Sequence, residues 1–161
     1  LSLEGPPPIT PDGLRAACAA QLDKRDNVVA AAVIDGRESP AQHAFLAKRQ
    51  EWETELRNAV ARLRAARLKV DPAPHIRPVS GFDGYIDKGV SDAMARPDPL
   101  QRELALDHLR WRLLEETAGL NAFTFEALLA YALKLRMIVR WTELQEKRGQ
   151  AAFDAASAVA F

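Results

Sequence analysis

The chain has 161 residues, enough for one domain that buries roughly two-thirds of the surface its unfolded form exposes. Lysine plus arginine equals aspartate plus glutamate at 22 each, so no global field draws it to nucleic acid or to an anionic membrane. The single cysteine, Cys18, excludes an internal disulfide and a cysteine-based zinc cluster and suits a reducing, cytoplasmic setting. No apolar run approaches the ~20 residues a membrane helix needs, and no signal-peptide layout opens the sequence.

The ten prolines punctuate the chain between helices. Proline is tolerated at the first helical position and not in the interior, so Thr10-Pro11, Ser39-Pro40 and Asp98-Pro99 read as helix starts. The first helix is expected from Pro11 to about Leu22, with Thr10 as cap, Ile9 stapled onto Leu14, and Pro6 to Pro8 extended before it. Val28 to Ile34 is apolar without a clear period, and helix and strand compete there until Asp35-Gly36 ends it. Helix is the reading adopted, because a lone strand finds no partner strand elsewhere.

Neither Gly nor Pro interrupts the stretch from Ala41 to Val70, so a helix over about 40–70 would be ~45 Å long. Phe45, Trp52, Leu56, Ala59, Leu63, Ala66 and Val70 recur at steps near three and four and form one narrow coiled-coil-like stripe. That stripe demands a helical neighbour, and the helix carrying Leu128, Leu135 and Val139 is the one expected. Residues 71–82 hold three prolines and a glycine and read as an internal loop. A short helix follows on Ile86, Val90 and Met94, and then Asp98-Pro99 opens one with Leu100, Leu104, Leu109, Trp111, Leu113 and Leu114 that closes near Gly119.

Thr124 is placed to cap the most apolar helix, about 124–147, with Phe123 stapled onto Leu128 and Gly149 as the stop. Leu128, Tyr131, Ala132, Leu135, Ile138 and Val139 share one arc, while Ala130, Leu133, Met137, Trp141 and Leu144 line another. Such a helix is central in its own bundle or shared with a partner. Met137, Trp141 and Leu144 are expected to be less buried in the isolated chain than Leu128, Leu135 and Val139, which would make them a docking face. Residues 150–161 are Ala-rich and read as a weak final helix or a frayed end. The whole is an all-α, single-domain helical bundle.

No constellation for catalysis emerges. His43, His75 and His108 are isolated, and none has the spacing that aims two metal ligands from one helix face. Cys18 sits between alanines and reads as a small core residue. Glu51, Glu53 and Glu55, like Glu115 and Glu116, point apart on a helix and read as solvated faces. Phosphate-loop, dinucleotide and nucleophile-elbow motifs are absent. No catalytic residue, metal ligand or cofactor is therefore expected. One charge feature is uneven: Arg57, Arg62, Arg64, Arg67 and Lys69 crowd the second half of the long helix with no acid among them. Such cations can lie along the apolar seam, pair with neighbouring acids, or dock an acidic partner.

Two stretches carry a resemblance. Glu51-Trp52-Glu53-Thr54-Glu55-Leu56-Arg57-Asn58 through Arg62 to Leu68, and Leu128 to Leu135 through Trp141 to Gly149, resemble an uncharacterised family encoded within bacterial V-type (A/V-type) ATPase operons. The opening Pro6-Pro7-Pro8-Ile9-Thr10 also fits, with Leu1-Ser2-Leu3 as the remnant of the apolar segment that precedes the double proline in that family. The Leu56-Arg57-Asn58 helix is, more weakly, similar to one in the all-helical socket protein that lies between the rotor shaft and the membrane ring of those rotary ATPases. The resemblance implies a non-catalytic structural or coupling component, a stalk or adaptor without reacting groups. It would be cytoplasmic, or peripheral to the cytoplasmic face of the membrane through the ATPase. Its partners would be the central-shaft or stator subunits.

Arg57, Asn58, Arg64, Tyr131, Lys134 and Trp141 match the resemblance most closely. Arg67 on the basic flank, and Met137 and Leu144 on the second apolar arc, complete the candidate partner-binding set. The alternatives are a free-standing helical adaptor for other proteins and an enzyme with an unrecognised site between helices.

Overall fold

The computed structural model describes residues 1–39, 42–79, 81 and 83–158, with side chains described through residue 145. Among these residues all regular structure is helical: α1 (Pro11–Gln21), α2 (Lys24–Asp35), α3 (Ala44–Leu68), a 3-10 turn (Ala73–His75), α4 (Gly84–Met94), α5 (Pro99–Ala118) and α6 (Phe125–Ala158). Most starts carry the caps their sequences predict. Thr10 Oγ1 accepts the Gly13 amide at 3.0 Å, the Asp98 carboxylate accepts those of Leu100 and Gln101, and Thr124 Oγ1 accepts that of Ala127 at 3.2 Å. Each satisfies an amide that the helix cannot satisfy itself. The apolar run Val28–Ile34 lies in α2, which Gly36 closes at φ 73°. A side chain there would meet both the left-handed strain and the Arg136 guanidinium.

Two boundaries and one staple differ from expectation. Pro40 lies outside the described residues, but Gln42 and His43 are not helical, and α3 begins only at Ala44. His43 is extended and caps it, with Nδ1 accepting the Phe45 amide at 3.2 Å. At the other end, α6 runs through Gly149 to Ala158. One helical glycine costs only about 1 kcal/mol relative to alanine, and the Ala-rich sequence beyond it is a strong helix former. Phe123 does not staple onto Leu128; it is exposed, and its amide donates to Asn121 Oδ1 at 3.0 Å.

The helices group into two compact units, Gln42–Ala127 and Leu1–Ala41 with Leu128–Phe161. In the first, α3 packs on α4 and on α5, and α4 packs on α5. Its core holds Phe45, Trp52, Leu56, Ala59, Ile86, Val90, Leu109, Leu113 and Leu114. Inside this unit the neighbours of the α3 stripe are thus α4 and α5, where the sequence pattern alone points to the helix of Leu128. Two covering helices bury a wider and differently placed arc than one narrow seam. Leu63 is half-buried and Ala66 and Val70 are exposed, while Glu53, Glu55, Asn58 and Ala65 are buried.

In the second unit α1 packs on α2 through Leu14 and Cys18, with Val29, Ala30, Ala32, Val33 and Ile34 buried on α2. Both arcs of α6 contribute buried residues: Ala132, Leu135 and Ile138 on one, and Ala130, Leu133 and Trp141 on the other. Leu129, which neither arc includes, is also fully buried. Arg136 Nη1 donates to the Val33 carbonyl at 3.3 Å and so ties α6 to the C-terminal turn of α2.

Candidate docking surface and the buried ion-pair cluster

Along α3 a polar side chain reaches a neighbouring element at nearly every turn. Trp52 Nε1 donates to Thr117 Oγ1 at 3.2 Å, and the Thr117 hydroxyl donates to the Leu113 carbonyl. Glu53 is buried against α5, where Arg110 Nε donates to its Oε2 at 3.1 Å, and Arg57 Nε donates to its Oε1 at 2.9 Å. Arg110 also bonds Asp107 at 2.9 Å, and Asp107 is almost wholly buried. Burial of Arg110 works against its charge, but the Glu53 and Asp107 carboxylates outweigh it and hold the guanidinium above its ordinary pKa. Two cations thus face two buried acids, which is the condition for keeping such charges inside a protein.

From sequence, Glu53 and Glu55 belong to a solvated face, and the structure corrects this. Their divergence along the helix holds: Glu53 turns to α5, while Glu55 accepts the Asp83 amide just ahead of α4. One turn further on, Asn58 clamps the Arg77 backbone from both sides, its Nδ2 donating to the carbonyl at 2.8 Å and its Oδ1 accepting the amide at 2.9 Å. Arg62 pairs with Asp87 at 3.5 Å, and Arg67 Nη2 donates to the Met94 carbonyl at 2.7 Å, where a cation complements the C-terminal end of α4.

The nine candidate partner-binding residues divide between the units. On α3, Asn58 is buried as an internal clamp, and Arg57 and Arg67 are bonded within the unit although exposed to solvent. Arg64 alone of the four makes neither a side-chain hydrogen bond nor an ion pair among the described residues, and it is exposed. On α6, Tyr131, Lys134 and Met137 are half-buried and Leu144 is exposed. Trp141 is buried, with the Arg140 guanidinium 5.7 Å from its ring, while Leu128 and Val139 are only half-buried. The expectation of a less buried Met137, Trp141 and Leu144 face therefore fails at Trp141.

Two clefts open within the Gln42–Ala127 unit. One, of about 320 Å³, is lined by Lys48, Glu51, Trp52, Glu55, Asp83 and Glu116 among others; the second, of about 520 Å³, lies between α4 and α5 around Gly89 and Leu109. No group of three or more His, Cys, Asp or Glu among the described residues is arranged to hold a metal ion. His43 is engaged as a cap and packs edge-on against Phe125 at 5.4 Å. Burial pushes the Cys18 thiol up, away from the thiolate. None of the described helices is long and apolar enough to cross a membrane.

Comparison with known proteins adds one likeness. No curated protein and no solved structure matches the chain. Residues 82–155, a little under half of it, match the model of a family described as "Protein of unknown function (DUF2764)". The matched stretch takes in α4, α5 and α6 as far as residue 155, and so includes the second of the two stretches that carry the resemblance but not the first. Over that stretch the chain is similar to an uncharacterised family.

Proposed function

We propose that the chain is a non-catalytic structural or coupling component of a bacterial V-type ATPase, with a stalk or adaptor role like that of the socket protein between shaft and membrane ring. The observation that carries the reading is the bracing of α3. From Trp52 to Arg67 the helix is tied by side-chain bonds to α5, to the segment ahead of α4 and to α4 itself. A part that transmits torque needs such stiffness and docking surface, and it needs no reacting group. The resemblance to the operon-encoded family supplies the assembly, and the match to a family of unknown function is compatible with it.

The test is co-expression with the soluble shaft and stator subunits of the same organism, followed by co-purification and an ATPase assay of the isolated protein. Association without intrinsic hydrolysis is expected. Arg64→Glu should weaken that association at physiological salt and leave the fold intact, because exposed charge pairing is screened and Arg64 has no partner to lose among the described residues. Arg57 is a poorer probe, since reversing it would set a carboxylate beside buried Glu53. Failure to associate with any of these subunits would overturn the ATPase reading and leave a free-standing helical adaptor.

A further inference from the structure

The Gln42–Ala127 unit exposes large apolar side chains at two opposite ends. At one end the turn between α5 and α6 presents Leu120 and Phe123, which are 106% and 98% exposed. This turn is held in shape: Gly119 takes φ 77° and ψ −173°, a region open only to glycine, and Asn121 Oδ1 accepts the Phe123 amide. At the other end α3 closes on Leu68 and Val70, 73% and 53% exposed, with Lys69 between them at φ 55°. The bonds from Trp52 to Thr117 and from Glu53 to Arg110 set the C-terminal half of α5 beside the N-terminal half of α3. The 16 helical steps from Trp52 to Leu68 then separate the two apolar ends by ~24 Å.

The ends differ in charge. Between Arg112 and Lys134 the sequence holds no cation and three acids, Glu115, Glu116 and Glu126. Glu115 and Glu116 are exposed, and Glu126 is partly so. Between Asn58 and Val70 it holds four cations and no acid, and Arg64 and Lys69 are exposed with no ion pair among the described residues. An apolar, acidic knob at one end faces away from an apolar, basic end of the same unit.

We infer that the chain associates with a second copy of itself head to tail, the Leu120/Phe123 turn of one protomer seating on the Leu68/Val70 end of the next. The patches lie at opposite ends of one unit, so they meet only between molecules, and such a heterologous contact adds further copies unless it closes into a ring. Two large side chains from each partner cover on the order of a few hundred Å², well under a standard interface, so the association is weak and strongly concentration-dependent. It does not depend on the ATPase reading.

Sedimentation velocity of the 161-residue chain from ~5 to ~500 µM tests it, because mass action fills a weak interface only at high concentration. The weight-average mass should rise with concentration, and the association should weaken about tenfold between low and high salt. Phe123→Ser with Leu120→Ser, and separately Leu68→Ser with Val70→Ser, should each give a monomer with unchanged far-UV circular dichroism, since all four side chains are exposed. An equimolar mixture of the two variants should then form a one-to-one dimer and nothing larger, because each keeps one competent end. Arg64→Glu, which alters charge and not the apolar contact, should weaken the association about tenfold. A wild-type chain that stays monomeric at all these concentrations would overturn the inference. So would assembly that survives both apolar variants, or a mixture that remains monomeric.

Discussion

The two units keep their helices in place by different means. Among the described residues of α1, α2 and the Leu128-onward part of α6 the buried ones are apolar, many of them alanine or valine, and polar bonds between helices include those from Arg15 to Asp35 and from Arg136 to the Val33 carbonyl. Around α3, α4 and α5 an equally apolar core is crossed by a buried charge cluster and by an asparagine clamp. Apolar packing is tolerant of small slips, whereas a buried acid has few places where it is satisfied. The charged unit should therefore have its register fixed more sharply, at the cost of failing badly when one partner is removed.

The largest effect should come from Arg110→Met, which removes the cation that buried Glu53 and Asp107 share and leaves only the solvent-exposed Arg57 on Glu53. Such breaks cost about 3–5 kcal/mol, and thermal unfolding should show it. Core truncation should not distinguish the units: Leu56→Ala on α3 and Leu135→Ala on α6, both almost fully buried, should each lower stability by about 2–5 kcal/mol in denaturant titrations. Asn58→Ala should cost about 1–3 kcal/mol by orphaning the Arg77 amide and carbonyl, and should expose the α3–α4 connection to limited proteolysis. In the other unit Gly36→Ala should cost about 1–2 kcal/mol, because it forces an L-residue into the left-handed region.

The smallest effect concerns acid. Hydrogen bonding from Arg37, aided by the charges of Arg15 and Arg37 and opposed by partial desolvation, holds the Asp35 carboxyl below its ordinary value. Its contribution is present above the usual aspartate range and is lost as the pH falls through the depressed folded value. Asp35→Asn should lower stability slightly at neutral pH, leave the most acidic end unchanged, and so flatten the acid limb of a stability-versus-pH curve.

Legibility in the sequence follows the same division. The helices are readable because proline, cap residue and apolar period agree at Thr10-Pro11 and Asp98-Pro99, cap residue and period agree at Thr124, and the apolar run of α2 ends where Asp35-Gly36 says it should. The start of α3 escapes sequence reasoning because a proline after a serine is only half a signal, and histidine as a cap carries none. Glu53, Glu55 and Asp107 are not readable as buried. A carboxylate on a helix looks solvated until the residue opposite it is known, and Arg110 lies 57 positions from Glu53. The basic stretch is visible as a charge run, but three of its members, Arg57, Arg62 and Arg67, are bonded inside the unit, which only the packing of α4 and α5 discloses.

Amide hydrogen exchange on the wild-type chain and on Arg110→Met tests most directly whether the buried cluster is what braces α3. In the wild type the amides of α3 from Trp52 to Arg62 should be among the slowest to exchange, because their opening requires unpairing buried charge. In the variant, exchange should accelerate by orders of magnitude across that segment and the facing half of α5, while amides in α1 and α2 keep their rates. Acceleration spread evenly over every helix, or none in α3, would contradict the account.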